Sequence, residues 1–521
     1  MKKLIITILT VMLAIFSLTA CTDSVKPLAN VGGDVNKETN GSFLVEKGEY
    51  LYFINGKEAV SATNKFGKVE KASLVRVKTE DLGKKNSDVK VETVIPKLLI
   101  SASYNTGFYM YGNCVYYVTP SIEKDKAGNV LNTHNEFYCF DLEKGKNVGG
   151  VILRLENNNY EYRFIESNGT VYLATTLSSV DESGATKTKL VVYNTKNGEC
   201  VFTSNNYVNL LMPEDNSNVI FYTQKGITKA LDDAEQDFEE LYRYKVGDAE
   251  ATLEVSGAGY ADLGFDNRET ELQGKLVEEH GTNGVTFTLI KNTGKLLVYK
   301  TTKLDADNTG SYYYGATNED NFTVKTKLGG ANEYIDQAMA KTSYFKSLNE
   351  VYYIESGSGF ISALMKFDYS KQNDSDMLNG RTIVAEDVEG YSISFVKDNC
   401  IYLAKGSEGY YYRCSLDGAN QKLNQINAIP MQSLSDWYAP TVVGNYFIGS
   451  YSGSYYANYV YAIDISKLAT EDYDDYLEKY KVEDRQNILD LQDTLLGKYS
   501  TSDKEALKEL LDENYPEEDE E

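Results

Sequence analysis

From Phe43 to Leu468 the chain repeats one hydrophobic pattern: an aromatic, a short polar turn around Asn, then a run in which apolar and polar positions alternate. "FYMYGNCVYYVTP" (108–120), "FIESNGTVYLATT" (164–176), "YFKSLNEVYYIES" (344–356) and "SFVKDNCIYLAKG" (394–406) carry it most clearly. Weaker copies stand at 43–55, 213–225, 289–301 and 441–453. After each copy comes a second alternating run: "SLVRVKTED", "EFYCFDLEK", "KLVVYNTKN", "ELYRYKVGD", "SYYYGATNE", "ALMKFDYSK", "YYYRCSLDG" and "YVYAIDISK". Alternation of period two between turn residues is the mark of half-buried strands.

The spacing is about 53 residues per unit, within reach of propeller repeats and too long for a simple solenoid coil. Each unit has room for four strands. A sheet of that size cannot bury both faces alone, whereas sheets packed around a ring can, leaving only short protected edges. The pattern therefore predicts an all-β fold, a β-propeller of eight blades rather than seven, with a β-sandwich array as the alternative.

Both ends of the chain depart from the repeat. Beyond residue 468, Tyr473, Tyr476, Leu477, Tyr480, Ile488, Leu489 and Leu495 fall near helical spacing. A second helix is predicted from the capping box Ser502-x-x-Glu505, with Leu507, Leu510 and Leu511 on one face. The chain closes on the acidic "ENYPEEDEE". This short α-helical tail either packs on the side of the propeller or docks another envelope protein.

At the other end, Lys2 and Lys3 precede an apolar run from Leu4 to Ala20, interrupted by hydroxyl residues and slightly short for a bilayer span of about 20 residues. It reads as an export signal. Its last four residues, "LTAC" (Leu18–Cys21), resemble the lipobox of bacterial lipoproteins. The resemblance implies cleavage after Ala20 and a diacylglyceryl group on the Cys21 thiol. A thiolate suits that chemistry as the strongest side-chain nucleophile. Two or more acyl chains, at about 0.8 kcal/mol per buried methylene, hold a protein where one lets it escape. The expected division is a signal peptide at 1–20, a lipidated N-terminus and flexible tether at 21–42, a propeller at 43–468 and the helical tail at 469–521.

Some repeats also resemble the quinoprotein-like propeller family, whose pattern is a strand, an Asp or Asn, a turn with Gly, and a short strand ending in Trp. "VVYNTKNGECVF" (191–202) and "FYCFDLEKGK" (137–146) fit its first half, with Asn194 and Asp141, then Gly198 and Gly145, in place. Phe202 stands where the Trp would, Trp437 is the sole Trp, and the adjacent Cys pair of that family's quinone enzymes is missing. The resemblance implies the fold and counts against a quinone cofactor.

Charge narrows the partners. The net charge of −25 becomes −27 when residues 1–20 leave with Lys2 and Lys3 and no acid. Such a surface repels nucleic acid and anionic lipid headgroups. The Lys-, Asn- and Tyr-rich, Pro-poor composition points to a low-GC Gram-positive bacterium, in which the anchor faces outward from the cytoplasmic membrane; in a diderm cell the same anchor faces the periplasm.

Two histidines leave little room for catalysis. His134 belongs at the start of a second strand and His280 in a polar insertion, and neither is accompanied by a G-x-S-x-G elbow or by clustered metal ligands. No catalytic or metal-binding residue is assigned. "DADNTG" (305–310) resembles the start of a calcium loop, but its twelfth position is Ala316 rather than Glu. "DKAGN" (125–129) and "DESGAT" (181–186) fall at matching places, and turn chemistry accounts for all three. In "CIYLAKGSEGYYYRC" a hairpin centred on Ser407 places Cys400 opposite Cys414, close enough for a disulfide. The other reading, two small buried apolar side chains, is preferred. The tyrosine clusters at 311–315, 409–413 and 452–459 are assigned mostly to packing between blades, with a sugar-binding surface as the alternative.

The expected function is a lipid-anchored, extracytoplasmic propeller that binds an envelope protein or polymer without catalysis of its own. The alternative is a carbohydrate-binding protein or glycan-active enzyme with its site at the mouth of the central channel, where paired carboxylates would do the chemistry.

Overall fold

A computed structural model describes residues 27–467, apart from 65–66, 83–89, 102–106, 121–122, 125, 128–129, 132–133, 156–160, 215, 232–233, 257–284, 293–295, 305–309, 319–325, 329–342, 348–349, 356–361, 372–378, 406–409, 427–439 and 453–457. The expected signal peptide, Cys21 and the helical tail lie outside the described residues.

Among the described residues the strands form seven antiparallel sheets and one separate hairpin. Sheet 1 is a meander of Leu44–Lys47, Tyr50–Asn64, Gly67–Lys78 and Glu92–Ser101. Sheet 2 follows with Tyr109–Tyr111, Cys114–Pro120, Asn135–Asp141 and Lys146–Leu155; the hairpin of Glu123–Lys124 and Val130–Leu131 projects between its middle strands. Sheet 3 has seven strands, Tyr162–Ser167, Thr170–Val180, Thr186–Asn194, Cys200–Leu211, Val219–Leu231, Ala234–Lys245 and Thr252–Ser256. Sheets 4, 5 and 6 are four-stranded meanders beginning at Val285, Tyr344 and Tyr391. Sheet 7 comprises Thr441–Val443, Tyr446–Ser452 and Asn458–Asp464.

The sequence doublets map onto this order. Each aromatic–turn–strand copy becomes a first strand, its turn and a second strand, and each following run becomes the third strand. The turns are tight because Asn168, Asp398 and Asn399 accept positive φ, which Asn and Asp tolerate better than other side chains. The copy at 213–225 differs. Its first strand is the end of Cys200–Leu211, which pairs early with Thr186–Asn194 and late with Val219–Leu231, fusing two meanders into sheet 3.

Each sheet contacts the next in chain order. Tyr109 and Phe137 of sheet 2 meet Phe164 and Leu173 of sheet 3. Within sheet 3, Phe202 stacks on Tyr244 with ring centroids 3.8 Å apart. Asn292 of sheet 4 is fully buried and donates to the Val219 carbonyl of sheet 3 at 2.8 Å. Lys291 of sheet 4 lies 4.6 Å from the ring centre of Tyr344 in sheet 5. Ile354 and Leu364 of sheet 5 share a core with Ile401, Leu403 and Cys414 of sheet 6. Sheets 6 and 7 share a core with sheet 1, which in turn packs on sheet 2. The order of contacts closes on itself: an all-β ring of the propeller kind.

Two expectations are corrected. Cys400 pairs with Ser415 and Cys414 with Ile401, so the hairpin is one residue out of the register that would set the two cysteines opposite. A one-residue shift sends the side chains to opposite faces: Cys400 joins the core toward sheets 1 and 7, and Cys414 the core toward sheet 5. Both are free thiols. The second correction concerns 27–42. This segment is seated on the ring rather than acting as a flexible tether: Leu28 N–H donates to the Leu142 carbonyl at 3.1 Å, and Leu28, Val31 and Val35 pack on the core. Its Asn and Gly residues, which read as linker, serve close backbone approach.

Candidate functional site at the ring centre

The seated segment leads to the middle of the ring. Arg76, almost wholly buried, holds the Asn30 carbonyl with one nitrogen and Glu92 at 2.6 Å with another. Tyr52 donates to the Val31 carbonyl at 3.1 Å. Val35 then bridges antiparallel to Lys47, the last residue of the first strand of sheet 1, and Asn36 N–H donates to the Glu46 carbonyl at 2.9 Å. The approach is close enough that a Cβ on Gly48, whose φ is +58°, would sit 2.2 Å from the Gly33 nitrogen. Lys47 is buried beneath the segment and donates to the Gly33 carbonyl at 2.5 Å. Burial pushes its ammonium pKa down against the pull of Asp34.

Residues 37–40 then make contacts with three other sheets. Asn40 donates to the Met110 carbonyl at 3.0 Å and accepts from Met110 N–H at 2.7 Å, in sheet 2. It also donates to Asn216 Oδ1, 3.3 Å away, in the turn 212–218 of sheet 3. Asn216 returns a hydrogen bond to the Lys37 carbonyl. Tyr111 donates to the Phe164 carbonyl at 2.7 Å and lies 3.3 Å from Asn216 Oδ1. Glu38 pairs with Lys397 of sheet 6 at 3.5 Å, and Tyr344 of sheet 5 feels the charges of Glu38 and Glu214. One short segment thus gathers sheets 1, 2, 3 and 6, the arrangement that the axis of a ring provides.

The electrostatics there are balanced. Glu214 is paired with Lys291 at 3.8 Å, as Glu38 is with Lys397. Both carboxylates are well exposed while the two lysines are mostly covered. Burial, then the carboxylates of Glu214 and Glu38, raise the Tyr344 phenol. Burial likewise raises Tyr111. Tyr344, half-buried against Lys291, and the two accessible carboxylates form a surface that can exchange hydrogen bonds. Such a surface suits a polar, uncharged or weakly charged ligand.

The residues singled out in the sequence lie elsewhere. His134 sits just ahead of its strand in sheet 2, 3.2 Å from Glu136. Asp181 closes its own turn, accepting from Ser183 N–H at 2.9 Å and Ala185 N–H at 3.0 Å, and pairs with Lys187. These donors, the Ser183 hydroxyl first, hold its carboxyl far below the usual range. Asp141 and Asn194 do the same for the turns that end on Gly145 and Gly198. His280, Trp437 and residues 305–309 lie outside the described residues. Among the described residues no group of three or more His, Cys, Asp or Glu converges as a metal site.

Asn40, Asn216, Glu38 and Glu214 did not stand out, because Asn and Glu are common in turns. One signal was present: residues 212–218 separate strands that sister copies join with two, as at 112–113 and 398–399.

No protein-family profile matches the chain, and no curated protein matches it. Among solved structures it is similar to the β-propeller domain of the Trilobed protease from Pyrococcus furiosus, at 11% identity and a TM-score of 0.34, over 83% of this chain and 97% of that one. It is also similar to prolyl oligopeptidase B from Galerina marginata, at 12% identity and a TM-score of 0.40, over 71% of this chain and 51% of that one. A third likeness is to the quinohemoprotein alcohol dehydrogenase from Comamonas testosteroni, at 7% identity and a TM-score of 0.34, over 85% and 76%. None of these scores carries an argument about function, and the architecture rests on strand pairing and packing.

Proposed function

We propose that this chain is a lipid-anchored, extracytoplasmic β-propeller that serves as a non-catalytic binding or assembly platform for an envelope protein or polymer. Dividing sheet 3 at its shared strand makes eight meanders, in step with the eight sequence doublets, and supports eight blades. The observation that carries the reading is the seating of residues 27–42. Five residues separate Cys21 from Pro27, a contour of about 20 Å. An acylated Cys21 thus holds the ring close to the membrane and in one orientation, so that one face of the platform is presented outward. Loops on that face and the tail beyond residue 468 are the contact elements.

Two measurements test this. Incorporation of labelled fatty acid into the full chain, and its loss in Cys21→Ala, is the expected result for the anchor; incorporation unchanged by the substitution sinks it. Affinity capture from gently solubilised membranes is then compared between the full chain and a variant ending at Leu468. A stoichiometric partner lost on truncation supports docking through the tail. If both forms come down alone, the platform reading falls.

A second reading has one observation of its own. Lys291 lies over the ring of Tyr344 and pairs with Glu214, and the charges of Glu214 and Glu38 act on the Tyr344 phenol; an aromatic beside carboxylates suits a carbohydrate. Binding to neutral glycans that weakens at least about tenfold in Tyr344→Ala would favour it; no glycan binding by the full chain would remove it.

A further inference from the structure

We propose that Cys114 and Cys139 form a redox-active dithiol that cycles between two thiols and an intramolecular disulfide by exchange with an external disulfide. The site is in sheet 2, is independent of the anchor, and uses two cysteines given no role above. In the register of its middle strands Cys114 faces Asp141 and Tyr116 faces Cys139. Residues two apart share a face, so both cysteines lie on the same side as diagonal neighbours. The two thiols are close enough for each to shift the titration of the other. Cys400 and Cys414, by contrast, are on opposite faces of one hairpin.

The two thiols are unequal in the way exchange requires. Cys114 opens its strand after the turn at Gly112 and is partly exposed, while Cys139 is buried. The neighbouring Cys139 holds the Cys114 thiol below its ordinary value, against burial and Asp141, with Lys144 assisting. Cys114, with burial, raises Cys139 in turn. An accessible thiol with enhanced thiolate character beside a buried partner gives an attacking and a resolving cysteine.

The chemistry balances with a low-molecular-weight disulfide as oxidant. The Cys114 thiolate attacks one sulfur of the external disulfide; its S–S bond breaks, a mixed disulfide forms and one thiol leaves with a proton. Cys139 then gives its proton to solvent and attacks Cys114 Sγ, and the second thiol leaves. Two protein thiols are oxidised and one external disulfide is reduced. Diagonal neighbours stand about 7–8 Å apart at Cα, beyond the usual disulfide span of about 4.4–6.8 Å, so closure requires the strand end at Cys114 to move inward. A bond made that way is readily reduced again.

The test is to equilibrate the purified full chain in buffers spanning reduced to oxidised glutathione, alkylate with iodoacetamide, digest and analyse by mass spectrometry. The expected product is a Cys114–Cys139 cross-linked peptide that appears as glutathione is oxidised and disappears with dithiothreitol, while Cys400 and Cys414 are alkylated singly. In Cys139→Ser the expected product is a glutathione mixed disulfide at Cys114, trapped because the resolving thiol is gone. A second readout needs no variant: Cys114 should alkylate at least about tenfold faster than Cys139 in the native chain. Both cysteines singly alkylated in fully oxidised glutathione, or equal alkylation rates, would overturn the proposal.

Discussion

Asn40 and Met110 exchange a reciprocal pair of hydrogen bonds: the Asn side chain accepts from Met110 N–H at 2.7 Å and donates to its carbonyl at 3.0 Å. A carboxamide here does what a neighbouring strand would do for the inner edge of sheet 2. Both partners are buried. Removing the amide strands a backbone donor and an acceptor, which costs about 2 kcal/mol. Asn40→Ala is expected to lower the denaturation midpoint and to open residues 36–42 to limited proteolysis. Unchanged cleavage there would mean that the segment is held by its other contacts alone.

The stack of Phe202 on Tyr244 joins the two meanders fused in sheet 3. Neither ring is more than 8% exposed. Phe202→Ala is expected to destabilise the fold by about 3–5 kcal/mol. A double-mutant cycle with Tyr244→Leu should return a coupling of about 1 kcal/mol beyond simple burial. Additive effects would show that the rings fill space without preferring one another.

Stability should fall in acid through two glutamates built alike. Glu136 and Glu350 each accept a hydrogen bond at 2.6 Å from the Tyr two residues on, Tyr138 and Tyr352. Burial opposes their charge, but these phenols, with His134 and Arg154 for Glu136 and Lys366 for Glu350, hold both carboxyls below the ordinary value. A depressed folded pKa stabilises above the unfolded value, about 4.3 for Glu, and that contribution is lost as pH falls through the folded value. The denaturation midpoint is thus expected to be flat near neutrality and to drop below about pH 4.3. In Glu350→Gln the neutral-pH midpoint should be lower and the acid slope shallower. An unchanged slope would assign the acid loss to other carboxylates.

The hairpin register gives a positive test of the corrected cysteine geometry. Cys400 faces Ser415, so Ser415→Cys is expected to cross-link to Cys400 under mild oxidation, as seen by mass spectrometry. A cross-link between Cys400 and Cys414 instead would return the hairpin to the register centred on Ser407.

How far the sequence carried can be judged residue by residue. The strand doublets were legible because alternation and Asn-rich turns are local signals, and all fell on their strands except the first strand of the copy at 213–225. The Cys400–Cys414 register was not, since a single residue in a turn shifts every partner, and turn length is decided by packing at both ends. Residues 27–42 were misread for a related reason. Asn36, Asn40 and Gly41 have the composition of a linker, and only contacts with Glu46, Met110 and Phe108 give them a fixed place. Cys114 and Cys139 escaped notice because 24 residues and a hairpin separate them in the chain, although the register makes them neighbours.

Each sheet is tied to the next by the chain itself, except where sheet 7 meets sheet 1. There Phe447, Ile448 and Ala462 lie in one apolar core with Phe43, Leu44 and Tyr52, and among the described residues no fourth strand extends sheet 7 beyond Asn458–Asp464. Among the described residues the ring is therefore a clasp shut by side chains. Tension applied through the seated N-terminal segment falls on sheet 1, one leaf of that clasp, so under load the molecule should yield first at this seam, with the remaining sheets still threaded in order on an opened arc.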